Sequence, residues 1–108
     1  MNLLLLSYRA PVAEAISSII RAGGHDVTCV SDPGSLREAL RREAYAAIVT
    51  ETPLVGMARA HANLPAINID AFIYGLSDPM RETGTAGARF DVEAFLGRLR
   101  YVERHQFK

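Results

Sequence analysis

The stretch from Ala44 to Leu54 reads AYAAIVTETPL, an apolar run that breaks abruptly at Thr50-Glu51-Thr52-Pro53. Glu51 therefore stands where a buried strand should end. A carboxylate there can hold a cation, move a proton or take a phosphoryl group, provided other polar groups converge on it. The N-terminal run NLLLLSY places Ser7 and Tyr8 at its own end. The set is then one carboxylate, one hydroxyl and one phenol. Magnesium prefers hard oxygens with one or two carboxylates, so this set is thin for it. Glu51 has two further readings. It is either a fixed negative charge standing where a phosphoryl group would lie, or a solvated loop residue. Tyr8 either plugs the region at the strand ends or offers a ring on which a small ligand stacks.

The other reactive residue types are scattered. Cys29 is the only cysteine, so no internal disulfide can form. His25 lies four residues earlier on the same strand run, about 13 Å away along an extended chain and too far for a direct hydrogen bond. Without a base beside it, Cys29 reads as core packing. The three histidines, His25, His61 and His105, form no close ligand pair, so no metal is expected. The GTAG run from Gly84 to Gly87 lacks the lysine of a phosphate-binding loop and reads as a turn. No cofactor is expected.

These residues must be positioned by a chain of 108 residues, which suits one domain spanning 1–108 with one modest core. A hydrophobic content of 49% argues against disorder. Twelve basic and twelve acidic residues cancel, so nothing global steers the domain to nucleic acid or acidic lipid. No apolar run approaches the roughly 20 residues of a membrane span. The opening MNLLLLSY lacks the basic leader of a signal peptide. A lone cysteine fits a reducing compartment, and a cytoplasmic location is expected.

Four consecutive leucines in Asn2–Tyr8 predict a central strand covered on both faces. Pro11 suits the first turn of a helix carrying Val12, Ile16, Ile19 and Ile20 at helical spacing, and Gly23-Gly24 stops it. HDVTCVS predicts a second strand with Val27, Cys29 and Val30 partly buried. Ser35 and Glu38 have capping-box spacing for a second helix, whose stripe is Leu36, Ala39, Leu40 and Ala44. Arg37, Arg41 and Arg42 lie off that stripe and read as solvated. The opening run is the third strand. A short helix is expected from about Val55 to Ala62, and a fourth strand from Ile69 to Tyr74. A turn of helix after Ser77 or Asp78 and a short or missing fifth strand near Ala86–Phe90 follow. Asp91 is a natural cap for the last helix, Phe90 and Phe95 have staple spacing, and Val92, Phe95, Leu96, Leu99 and Val102 form one face. Strand and helix thus alternate with short connections, which predicts an α/β three-layer sandwich with a mainly parallel sheet of four to five strands.

This order resembles the receiver domain of bacterial response regulators, a CheY-like or flavodoxin-like fold. NLLLLSYRAP is similar to that family's first strand and loop, YAAIVTETPL to its third, and GARFDVEAFLGRL to its closing loop and last helix. The region from Gly75 to Arg89 is shorter than the family has there. The resemblance also implies site positions. An acidic pair at the end of strand one corresponds to Ser7 and Tyr8, and the phosphoacceptor aspartate to Glu51. The hydroxyl residue ending strand four corresponds to Gly75 or Ser77. The lysine before the last helix corresponds to Ala88 and Arg89. The resemblance therefore implies a degenerate receiver, a non-catalytic signalling domain of a two-component system that acts by protein–protein interaction. It would regulate a transcriptional or other output module, as a stand-alone adaptor or an N-terminal piece of a longer regulator. Its expected partner is a second copy or a separate regulatory protein, with Arg98 and Tyr101 on the last helix as the candidate interface. No direct nucleic-acid contact is expected.

Two alternatives remain open at this point. One is a small nucleotide- or ligand-binding α/β domain, although SYRAP has no glycine loop after strand one. The other is a receiver phosphorylated at a non-standard residue, Thr50, Thr52 or Asp70.

Overall fold

A computed structural model describes residues 1–74 and 89–106. Strands β1 (Asn2–Leu6), β2 (Asp26–Val30), β3 (Ala47–Thr50) and β4 (Ala66–Asn68) form one all-parallel sheet in the order β2-β1-β3-β4. Helices α1 (Ala10–Ala22), α2 (Pro33–Arg42), α3 (Val55–His61) and α4 (Val92–Gln106) cover its two faces. The expected three-layer α/β architecture is present.

The central strand explains the layers. Leu3, Leu4, Leu5 and Leu6 are all fully buried, each contributing roughly 1.5–3 kcal/mol by leaving water. Alternation sends Leu3 and Leu5 to one face, against Ile16 and Ile20 of α1 and Phe95 and Leu99 of α4. Leu4 and Leu6 go to the other, against Leu36 and Ala39 of α2 and Ala58 of α3. The expected stripes of α1 and α4 face this core, except that Val92 is exposed. Arg37, Arg41 and Arg42 are exposed as expected, while Ala44 falls outside the α2 stripe.

Helix ends follow local chemistry. Asp91 Oδ1 accepts from Ala94 N–H at 3.0 Å, and the Phe90 and Phe95 rings meet at 5.2 Å, so cap and staple are both formed. For α2 the cap lies three residues earlier than the Ser35–Glu38 spacing suggests. Asp32 accepts from Ser35 N–H at 2.7 Å, because Pro33 is preset for the first helical turn. That bond holds the Asp32 carboxyl below its ordinary range. Glu38 instead pairs with Arg41 and Arg42.

The fourth strand lies at Ala66–Asn68, not at Ile69–Tyr74. Asn68 Oδ1 accepts from Asp70 N–H at 2.9 Å, which bends the chain into a 3-10 turn over Ile69–Phe72. Ile69 is still buried, from the turn rather than from a strand. Ile73–Tyr74 (β5) then pairs antiparallel with Arg89–Phe90 (β6), so the expected fifth strand appears as half of a separate ribbon. The turn of helix expected after Ser77 and the GTAG run lie outside the described residues. Among the described residues no helix is long and apolar enough to cross a membrane.

Candidate functional site

Parallel pairing of β1 with β3 brings their C-terminal ends side by side. Ser7 follows β1 and Glu51 follows β3, so residues 44 apart in sequence become neighbours. Both are buried, Ser7 to 3% and Glu51 to 4% exposure. This excludes the solvated-loop reading of Glu51. Ser7 Oγ donates to Glu51 Oε2 at 2.7 Å and accepts from Arg9 N–H at 3.2 Å. The Arg9 guanidinium reaches back to Glu51 Oε1 as an ion pair. Each carboxylate oxygen is therefore engaged from within the chain.

Arg9 is the residue that sequence reading missed. It lies in the β1–α1 connection, as the extended residue preceding α1, where RAP reads only as a turn. The available signal was a cation two residues beyond Ser7, at the sheet edge where open α/β folds place their sites. Tyr8 departs from expectation in the opposite sense. It does not plug the strand ends: it is 49% exposed, and its hydroxyl lies 3.3 Å from Met57 Sδ. The side chain that meets Glu51 at the strand ends is Arg9, not Tyr8. Gly75 and Ser77 lie outside the described residues, and Arg89 is placed only as a backbone position in β6.

The alternative acceptors are engaged as well. Thr50 is fully buried, and its hydroxyl donates to the Leu6 carbonyl at 2.9 Å. Thr52 Oγ1 accepts from Asn68 Nδ2, and Asp70 Oδ2 accepts from Thr52 N–H at 2.8 Å. Asp70 therefore closes the turn after β3.

A divalent cation of the kind the receiver resemblance implies does not fit this set. Magnesium demands near-octahedral oxygens and usually carboxylates free to face it. Here the Glu51 carboxylate already faces a guanidinium, and the nearby Asp70 carboxylate is taken up by the Thr52 N–H. Among the described residues no group of three His, Cys, Asp or Glu could hold a metal.

A groove of about 630 Å³ opens beside the cluster, between α1 and the end of β2, lined by Ser7, Tyr8, Glu14, Ser17, Arg21 and Cys29. Cys29 is exposed into it rather than packed in the core, with Sγ 2.9 Å from Ser17 Oγ. Its strand is an outer strand of the sheet, so apolar neighbours in sequence do not bury it. At the far end of the sheet, His25 is buried, and its Nδ1 is 3.3 Å from the Met1 amino nitrogen. Burial holds its imidazole below the ordinary range, and the ammonium adds to this. On α4, the Arg98 guanidinium sits 5.4 Å over the Tyr101 ring, and that ring stacks on His105 at 4.0 Å.

Comparison with known protein families finds no match for this chain, and no curated protein matches it.

Proposed function

We propose that this chain is a receiver-like interaction domain that signals without taking a phosphoryl group, regulating an output module through protein contacts in the cytoplasm. The observation that carries this reading is the Ser7–Glu51–Arg9 cluster, in which both Glu51 oxygens are engaged from within the chain. Phosphoryl transfer needs a nucleophile and compensating positive charge aimed at the transferring oxygens. Here the positive charge is fixed on the carboxylate itself. The cluster gives the strand ends one permanent arrangement, and function then falls to the outer surfaces.

The ligand-binding alternative is favoured by the groove along α1. Against it, Ser7-Tyr8-Arg9 supplies no glycine for close backbone approach to a phosphate.

Calorimetric titration with magnesium, with and without beryllium fluoride, tests the proposal, together with incubation with acetyl phosphate. The expected result is no saturable binding and no mass gain of a phosphoryl group. Saturable micromolar binding that disappears in Glu51→Gln would overturn it.

A further inference from the structure

The reading above requires an acting surface, and the sheet edge at β2 supplies one. β2 is an outer strand of the four-stranded sheet. Asp26 N–H donates to the Met1 carbonyl, and the Val30 carbonyl accepts from Ser7 N–H. Residues 26, 28 and 30 therefore turn their backbone groups inward to β1. Alternation points the N–H and C=O groups of Val27 and Cys29 outward, where no described strand pairs with them. Natural edges are commonly blunted by lysine, proline or a bulge. This one reads DVTCV, with a single charge at its first position.

Neither helical layer closes over this edge. The α1 groove flanks it on one face, and a second groove of about 390 Å³, lined by Thr28, Val30, Glu38, Arg42 and Tyr45 among others, flanks it on the other. An added strand would have room for side chains on both sides.

The charges select the occupant. The Ser17–Cys29 contact marks the point of α1 that lies over Cys29. Glu14 and Arg21 line the same groove on either side of Ser17. A two-fold axis at Cys29 carries Glu14 of one copy toward Arg21 of the other, and the reverse. On its α1 face the edge is thus complementary to itself, as an isologous contact requires. The flank of α4 is the weaker candidate, because the Tyr101 ring is already engaged by Arg98 and His105 within the helix.

We propose that two copies of this chain pair antiparallel through β2 about an axis at Cys29, joining two four-stranded sheets into one. This rests on the reading of the chain as an interaction domain. Sedimentation equilibrium of the full chain across a wide concentration range tests it. Glu14→Arg and Arg21→Glu, both at exposed helix positions, should each weaken the dimer about tenfold or more. The double swap should return it to within about threefold of the wild type. Val27→Pro removes an outward N–H without touching the ladder to β1 and should abolish pairing. A short bis-maleimide should link two chains through Cys29, whose Cα atoms would lie about 5.5 Å apart.

A wild-type chain that stays monomeric at high micromolar concentration overturns the proposal. So does a dimer that is indifferent to the single reversals, or one that the double swap fails to restore. None of these results touches the magnesium and phosphoryl tests, so the two readings fail separately.

Discussion

Replacing Arg9 with methionine removes the ion-pair partner of Glu51 while keeping much of the apolar stem. Breaking a fully buried pair costs about 3–5 kcal/mol, because a charge is left without compensation. The pair here is lopsided: the Glu51 side chain is 6% exposed and the Arg9 side chain 61%. Water already screens the guanidinium, so the full figure does not apply. Hydrogen bonds to charged groups contribute about 1.5–3 kcal/mol. A loss of about 1–2 kcal/mol is therefore expected for Arg9→Met. Glu51→Gln keeps a partner for Ser7 and should cost about 1 kcal/mol. The double variant should cost less than the sum, with a coupling of about 1 kcal/mol. Urea unfolding reads this directly. With a slope of about 1–3 kcal/mol/M, a 2 kcal/mol loss moves the midpoint by roughly 0.7–2 M. A coupling energy near zero would refute the cluster as an energetic unit, and with it the claim that the strand ends are locked.

Four further outcomes are expected. Gly24 has φ +88°, so Gly24→Ala should cost about 1–2 kcal/mol. At Gly56 in α3 an added Cβ meets nothing within 4 Å, so Gly56→Ala should stabilise by about 0.5–1 kcal/mol; thermal melting checks both. Phe95 is fully buried and touches Phe72 and Phe90 edge-on, so Phe95→Ala should cost about 3–5 kcal/mol by urea unfolding. Burial, aided by the Met1 ammonium, holds the folded His25 imidazole below its ordinary range. The unfolded chain therefore binds that proton more readily, and stability falls as pH drops below about 6.5. Melting temperature against pH should show this decline in the wild type and a flatter profile in His25→Gln.

Legibility followed burial on two faces. β1 and β3 are covered from both sides, so solid apolar runs announced them, and with them the meeting of Ser7 and Glu51. The last helix was readable because its cap and staple are local. IDAFIY is more apolar than PAIN and so reads as the fourth strand, whereas a single Asn68 hydrogen bond decides where the strand stops. VTCV reads as core for Cys29 because it gives no sign of lying at the outside of a sheet. The role of Arg9 is hidden in the sequence because its partner lies 42 residues further along the chain. Contacts of that range are set by strand order, and no local pattern encodes them.

The alternation of Leu3 and Leu5 against Leu4 and Leu6 divides the interior into two halves with the sheet as a wall between them. One half is closed by helices of 13 and 15 residues, the other by helices of 10 and 7. Helices that short hold little structure alone and depend on what they pack against. The molecule is therefore built to open in layers. The α2–α3 side is expected to open first in sub-global excursions, baring Leu4 and Leu6 of β1 while α1 and α4 stay packed on Leu3 and Leu5. Amide hydrogens on the two sides then exchange at different rates.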